Sequence, residues 1–191
     1  MRLCFDLDKA TEAAAYLLAK HGGKRNYMAL IKMLYLADRQ ALLNSGYPIT
    51  GDEMYSMRNG PVLSRILDFI TWGDSPRSGP GAIKWQRHVG IDPQDSYAAI
   101  LRDNPGRDHL SDEELGILDD VFARFHKMNQ WDLRDLTHTL AEWSNTSSSK
   151  RIDPAEILRN EGWPTEDIQA AIRAAEQRWQ MHHSQPQYAT E

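Results

Sequence analysis

Between Asn26 and Gly46 the chain reads as one long helix, and a single carboxylate sits inside its apolar arc. At about 100° per residue, Leu30, Ile31, Leu34, Tyr35, Ala37, Ala41 and Leu42 share one broad face. Asp38 falls in the middle of that face. A carboxylate taken out of water is costly unless it is hydrogen-bonded or paired. Any fold of this chain must therefore bring a partner to Asp38. Two readings compete. Asp38 is either a structural acceptor for a backbone turn, a hydroxyl or a cation, or it is a catalytic acid or metal ligand. The structural reading is preferred, because no second carboxylate, His or Cys stands beside it at ligand spacing. The turn around Gly51 is the expected source of N–H donors.

The rest of the chain is mostly helical in pattern. Asp8 is a candidate N-cap for a first helix through Lys20, ended by Gly22-Gly23. Asn26 caps the second, which runs to about Asn44 and is closed by Gly46. Ile49 to Met57 reads as a turn and a strand, with Glu53, Tyr55 and Met57 on one face and Met54 and Ser56 on the other. Pro61 fits the first position of a third helix, whose apolar arc is Val62, Leu63, Ile66, Leu67, Phe69 and Ile70. Trp72 lies at its polar edge, either tucked under the following loop or free to anchor a partner. Residues 73–81 are a loop by composition. Lys84 to Val89 and Tyr97 to Arg102 are short strand candidates joined through Asp92-Pro93. Ser111 and Glu114 form a capping box for a helix through Phe125. Asn129 caps another, expected through Trp143, with Leu133, Leu136, Leu140 and Trp143 as its stripe and His138 on the opposite side near Asp135 and Glu142. Asp153-Pro154 starts a short helix, and Thr165 begins a last one to about Met181.

The expected fold class is mostly α (α+β): a single helical domain of about six to seven helices with a small antiparallel β element in the middle of the chain. The expected divisions are a domain over 1–143, a Ser-rich linker over 144–152, a C-terminal helical extension over 153–181 and a frayed tail over 182–191.

The formal net charge of −5 does not suit general nucleic-acid binding. Cys4 is the one cysteine, so an intrachain disulfide is impossible, and it reads as a small apolar residue. No apolar run approaches the ~18 residues that span a bilayer, and acids stand where a signal peptide needs an apolar core. A cytoplasmic protein is the simplest reading. The seven histidines are scattered. HExxH, a P-loop, GxGxxG and GxSxG are all missing. The expectation is that the chain is not an enzyme and holds no metal.

Three ordered blocks carry a resemblance. They are Lys32-Met-Leu-Tyr-Leu-Ala-Asp38-Arg39, Gly46-Tyr-Pro-Ile-Thr-Gly-Asp52 and Asn59-Gly-Pro-Val62, followed by Leu136-Thr137-His138 and Trp143. Together they resemble the Panacea domain, also called the SocA-like antitoxin domain, over about Tyr27 to Trp143. The resemblance implies a bacterial or phage-encoded antitoxin of a type II toxin–antitoxin pair that masks a cognate protein toxin by direct binding. It also implies that some relatives deliver the toxin to the ClpXP protease, and that no cofactor is needed. On this view Tyr35, Asp38, Arg39, Gly51, Asp52, Gly60, Pro61 and His138 are scaffold residues. The candidate toxin contacts are Tyr55, Met57, Arg58 and Trp72, with a stripe on the last helix (Ile168, Ala171, Ile172, Ala175 and Trp179) as a further candidate if it does not dock on its own domain. The alternatives are a winged helix-turn-helix DNA-binding regulator and a hydrolase using His138 with Asp135 or Glu142.

Overall fold

A computed structural model describes residues 1–145 and 147–184. Among them the chain forms eight α-helices and two three-stranded antiparallel sheets. The helix α2 (Tyr27–Ser45) is the centre of the molecule. Every residue from Ala29 to Tyr35 is buried, including Lys32. It is packed by α1 (Leu7–Lys20), α5 (Asp112–Phe125), α6 (Gln130–Thr137) and α7 (Pro154–Asn160), and by strands of both sheets. Over 29–35, where the helix is covered on all sides, it needs no polar stripe.

Local signals place most of the caps. Asn26 accepts from the amides of Met28 and Ala29. Reciprocal capping boxes open α5 at Ser111 and α6 at Asn129. Asp153 caps α7. One cap is shifted: Asp6, not Asp8, caps α1, accepting from the Lys9 amide at 3.0 Å. Asp6 is extended and outside the helix, whereas Asp8 is already in its first turn, where it pairs with Lys84.

Three expected elements differ. Pro61 does not start α3. It precedes a two-residue strand, β3 (Val62–Leu63), and α3 (Ser64–Trp72) begins after it. Residues 84–88 are not a strand but lie in a short helix, α4 (Ala82–His88), which drives Trp85 into the core against Phe69 at 5.5 Å between ring centroids. Finally, α6 stops at Thr137, not Trp143. The Thr137 hydroxyl bonds back to the Arg134 carbonyl at 2.9 Å, and the amides of Thr139 and Leu140 turn onto carbonyls three residues back.

One sheet has the order β1 (Lys24–Asn26), β5 (Asp95–Leu101), β4 (Val89–Asp92), with Lys24 opposite Ile100 and Val89 opposite Leu101. The other has β3, β2 (Met54–Ser56), β6 (Lys150–Arg151), with Tyr55 opposite both Val62 and Arg151. Four of these strands lie in the middle of the chain, and β1 and β6 join them from outside it. β6 lies inside the stretch expected as linker, of which Thr146 is outside the described residues. Beyond it, Ile152, Ala155, Ile157, Leu158 and Ile168 join the same hydrophobic core as α1 and α2. The last helix, α8 (Thr165–Ser184), continues past Met181, so His182 to Ser184 are helical rather than frayed; 185–191 fall outside the described residues. α8 docks on its own domain. Ile168 and Ala175 are buried, and a Cβ built on Gly46 would stand 3.1 Å from the Ala171 methyl.

Candidate functional site

The signature blocks converge on a joint between α2, the turn after it and α3. Asp38, fully buried, accepts from the Thr50 amide at 3.0 Å and the Thr50 hydroxyl at 2.5 Å. The same hydroxyl accepts from the Asp52 amide at 3.1 Å. The Asp52 carboxylate, also fully buried, accepts from the amides of Glu53, Arg65 and Ile66 at 2.7–3.1 Å. Two of those amides belong to the first turn of α3, whose flanking residue Leu63 offers no side-chain cap. A residue twelve positions before the helix supplies the cap instead. Burial pushes the Asp38 carboxyl up to about 7, opposed by its Thr50 partners, and the Asp52 carboxyl up to about 6, opposed by its three amides.

Two glycines let this joint close. Gly51 has φ +62°, and a Cβ there would collide with the carbonyl of Cys4, because residues 3–5 run directly over the turn and Asp6 donates to the Thr50 carbonyl at 2.8 Å. Gly60 has φ +89°, and a Cβ there would lie 2.7 Å from Thr137 Oγ1 and 3.0 Å from Lys32 Nζ. The Lys32 ammonium is buried and donates to the Pro61 carbonyl at 2.6 Å. Burial pulls its pKa down to about 7. Pro61 thus matters through its carbonyl, not as a helix start.

A second network fastens α2 to the segment after α6. The Glu142 side chain is fully buried and accepts from the Tyr35 hydroxyl and from Arg39 Nε, both at 2.8 Å. Arg39 also pairs with Glu161 at the end of α7. His138 is not opposite Trp143. Once α6 has ended, its ring stacks on the indole at 3.8 Å between centroids. The indole N–H donates to the Met57 carbonyl at 3.0 Å. Burial holds the His138 pKa below its ordinary value. No hydrogen bond or ion pair joins His138 to Asp135 or Glu142 among the described residues, and Glu142 is engaged by Tyr35 and Arg39.

The expected contact residues separate. Tyr55 is half-buried between β3 and β6, and Met57 is half-buried beside Trp143, while Arg58 is exposed. Trp72 is 44% exposed, with the Arg77 guanidinium 5.0 Å from its ring, and it lines a different cleft, of about 540 Å³, with Tyr27, Gln86, Ile91 and Arg102. Tyr27 also lines a second cleft, of about 380 Å³, with Asn59, Tyr97, Gln130 and Trp131. Tyr97 is 66% exposed and stacks on Tyr27 at 6.3 Å; Trp131 is 50% exposed and carries Arg134 4.9 Å over its ring. Sequence reasoning missed Tyr27, Tyr97 and Trp131 as a set. Each is on a different element, and only the Tyr97 position on a strand hinted at exposure.

No helix among the described residues is long and apolar enough to cross a membrane. No curated protein and no solved structure matches the chain. A family model does: SocA-like antitoxin, Panacea domain, over residues 30–144. That span holds the Asp38–Thr50–Asp52 relay, Gly60 with Lys32, and the Tyr35–Glu142–Arg39 network. The chain therefore belongs to the SocA-like antitoxin family, through its Panacea domain.

Proposed function

We propose that this protein neutralises a cognate protein toxin by direct binding, and that the toxin docks on the aromatic face around Tyr27. Family membership supports the antitoxin class. The observation that carries the placement is the grouping of Trp72, Tyr97 and Trp131 around two clefts that share Tyr27. Exposed Trp and Tyr with stacked Arg are the residue types that dominate binding energy at protein interfaces. Large, rigid rings give contact area at low entropic cost. Arg58, next in sequence to Asn59 on the rim of the second cleft, completes the surface from the first set of candidates.

The test has two arms. A small protein encoded next to this one is expressed in bacteria, alone and together with this chain. Growth arrest by the first and rescue by the second are expected, with co-purification of the pair. Trp131→Ala, Tyr97→Ala and Trp72→Ala are each expected to weaken the complex by about tenfold or more with the fold intact. Wild-type affinity in all three would remove this face from the reading. Rescue that persists in cells lacking ClpXP marks masking; rescue that disappears there marks delivery to the protease.

A further inference from the structure

The segment laid over Gly51 meets the last turn of α8 at a cluster that neither the joint nor the aromatic face uses. Cys4, His182 and His183 each offer one donor atom, and the three atoms lie within 4.8 Å of one another. The backbone at Cys4 is held by its amide, which donates to the Tyr47 hydroxyl at 2.9 Å. The His183 ring is held by stacking on Trp179 at 4.1 Å and by Nδ1, which sits 2.8 Å from the Trp179 carbonyl. A carbonyl only accepts, so the proton is on Nδ1 and the lone pair is left on Nε2. Histidines that ligate metals are oriented by the same device, one ring N–H given to a backbone carbonyl. Two clefts open at the cluster. One, of about 370 Å³, is lined by Cys4, Trp179, His182 and His183; the other, of about 360 Å³, is lined by Cys4, Tyr47, Arg178 and His182.

We propose that Cys4, His182 and His183 form a three-ligand site for a zinc-class divalent cation, clamping the N-terminal segment to the end of α8. One thiolate and two imidazoles are the ligand set that borderline transition ions prefer over calcium or magnesium. A tetrahedral ion with bonds of about 2.0–2.3 Å needs donors roughly 3.5 Å apart, a small closure from the present spacing. The histidines are exposed on the final turn of a helix and can supply it. On binding, the Cys4 S–H bond breaks, its proton passes to solvent and a sulfur–metal bond forms; no electron is transferred. Burial holds the Cys4 thiol above its ordinary pKa, with nearby Arg178 opposing. Water takes the fourth position. Motif spacing could not reveal this site, since its ligands come from the two ends of the chain.

Cobalt(II) titrated into the full chain is the direct test. The expected result is one equivalent bound, with a thiolate-to-cobalt charge-transfer band and the intense visible bands of tetrahedral Co²⁺, displaced by Zn²⁺. Cys4→Ser should abolish the charge-transfer band. His182→Gln and His183→Gln should each weaken binding by about tenfold or more. In the wild type, saturating Zn²⁺ should slow alkylation of Cys4 by iodoacetamide by about tenfold or more. The proposal fails if no band appears, if the band survives Cys4→Ser, if both histidine replacements bind like the wild type, or if the alkylation rate is unchanged.

Discussion

Lys32 is a buried cation with a backbone carbonyl as its hydrogen-bond acceptor. Its folded pKa, about 7, lies below the ordinary lysine value of 10.5. Between those values the unfolded chain binds the extra proton, so stability rises with pH and is lost as pH falls toward 7. Chemical denaturation of the wild type from pH 7 to 9 should show a rise approaching about 1 kcal/mol per pH unit, from the ~1.4 kcal/mol that one proton is worth. Lys32→Met should flatten that rise; an unchanged slope would assign it to another group. Gly51 is constrained from the opposite direction, by space. Gly51→Ala places a methyl against the Cys4 backbone at a positive φ, and thermal unfolding should show a loss of about 2–4 kcal/mol. Asp38 was legible in the sequence because it interrupts an apolar face. Lys32 was not, because a wheel drawn for a one-sided helix puts it outside the arc, whereas α2 is buried on all sides over 29–35.

Elements that end or begin with local chemistry were legible. Asn26, Ser111, Asn129 and Asp153 cap the helices that come after them, and each signal lies within a few residues of its effect. Elements set by distant partners were not. α3 starts where it does because Asp52 reaches its first amides across the β2–β3 hairpin, and Pro61 is left upstream. β1 and β6 are strands because β5 and β2 are there to pair with them. Asp52→Ala should leave the amides of Arg65 and Ile66 without their acceptor and cost about 2–3 kcal/mol by urea denaturation. Hydrogen exchange of those two amides should accelerate more than that of Phe69, near the other end of α3. Equal acceleration along the helix would argue against a capping role.

At the scale of the molecule, the fold class was readable from the dominance of 3.6-residue periodicity, while the division at residue 143 rested on a run of serines. The core passes through that division without a break, from Ala10 to Ile168. Arg39 holds Glu142 and Glu161 on either side of it. Calorimetry of the full chain is therefore expected to give one cooperative transition. A separate early transition for 153–184 would show that the C-terminal helices are an independent unit. The aromatic face was hidden for a related reason, since Tyr27, Trp72, Tyr97 and Trp131 come together from four elements.

The strands at the borders of the two sheets are β1 and β4 in one and β3 and β6 in the other, and all are between two and four residues long. Borders this short give an incoming chain almost no main-chain groups to pair with. Among the described residues these borders do not favour recruiting a partner by adding a strand, the mode in which backbone hydrogen bonds supply affinity whatever the sequence of the guest. Recognition by this protein then falls chiefly to side chains on the exposed faces. Its repertoire of partners is then open to change by single surface substitutions that leave the folded frame untouched.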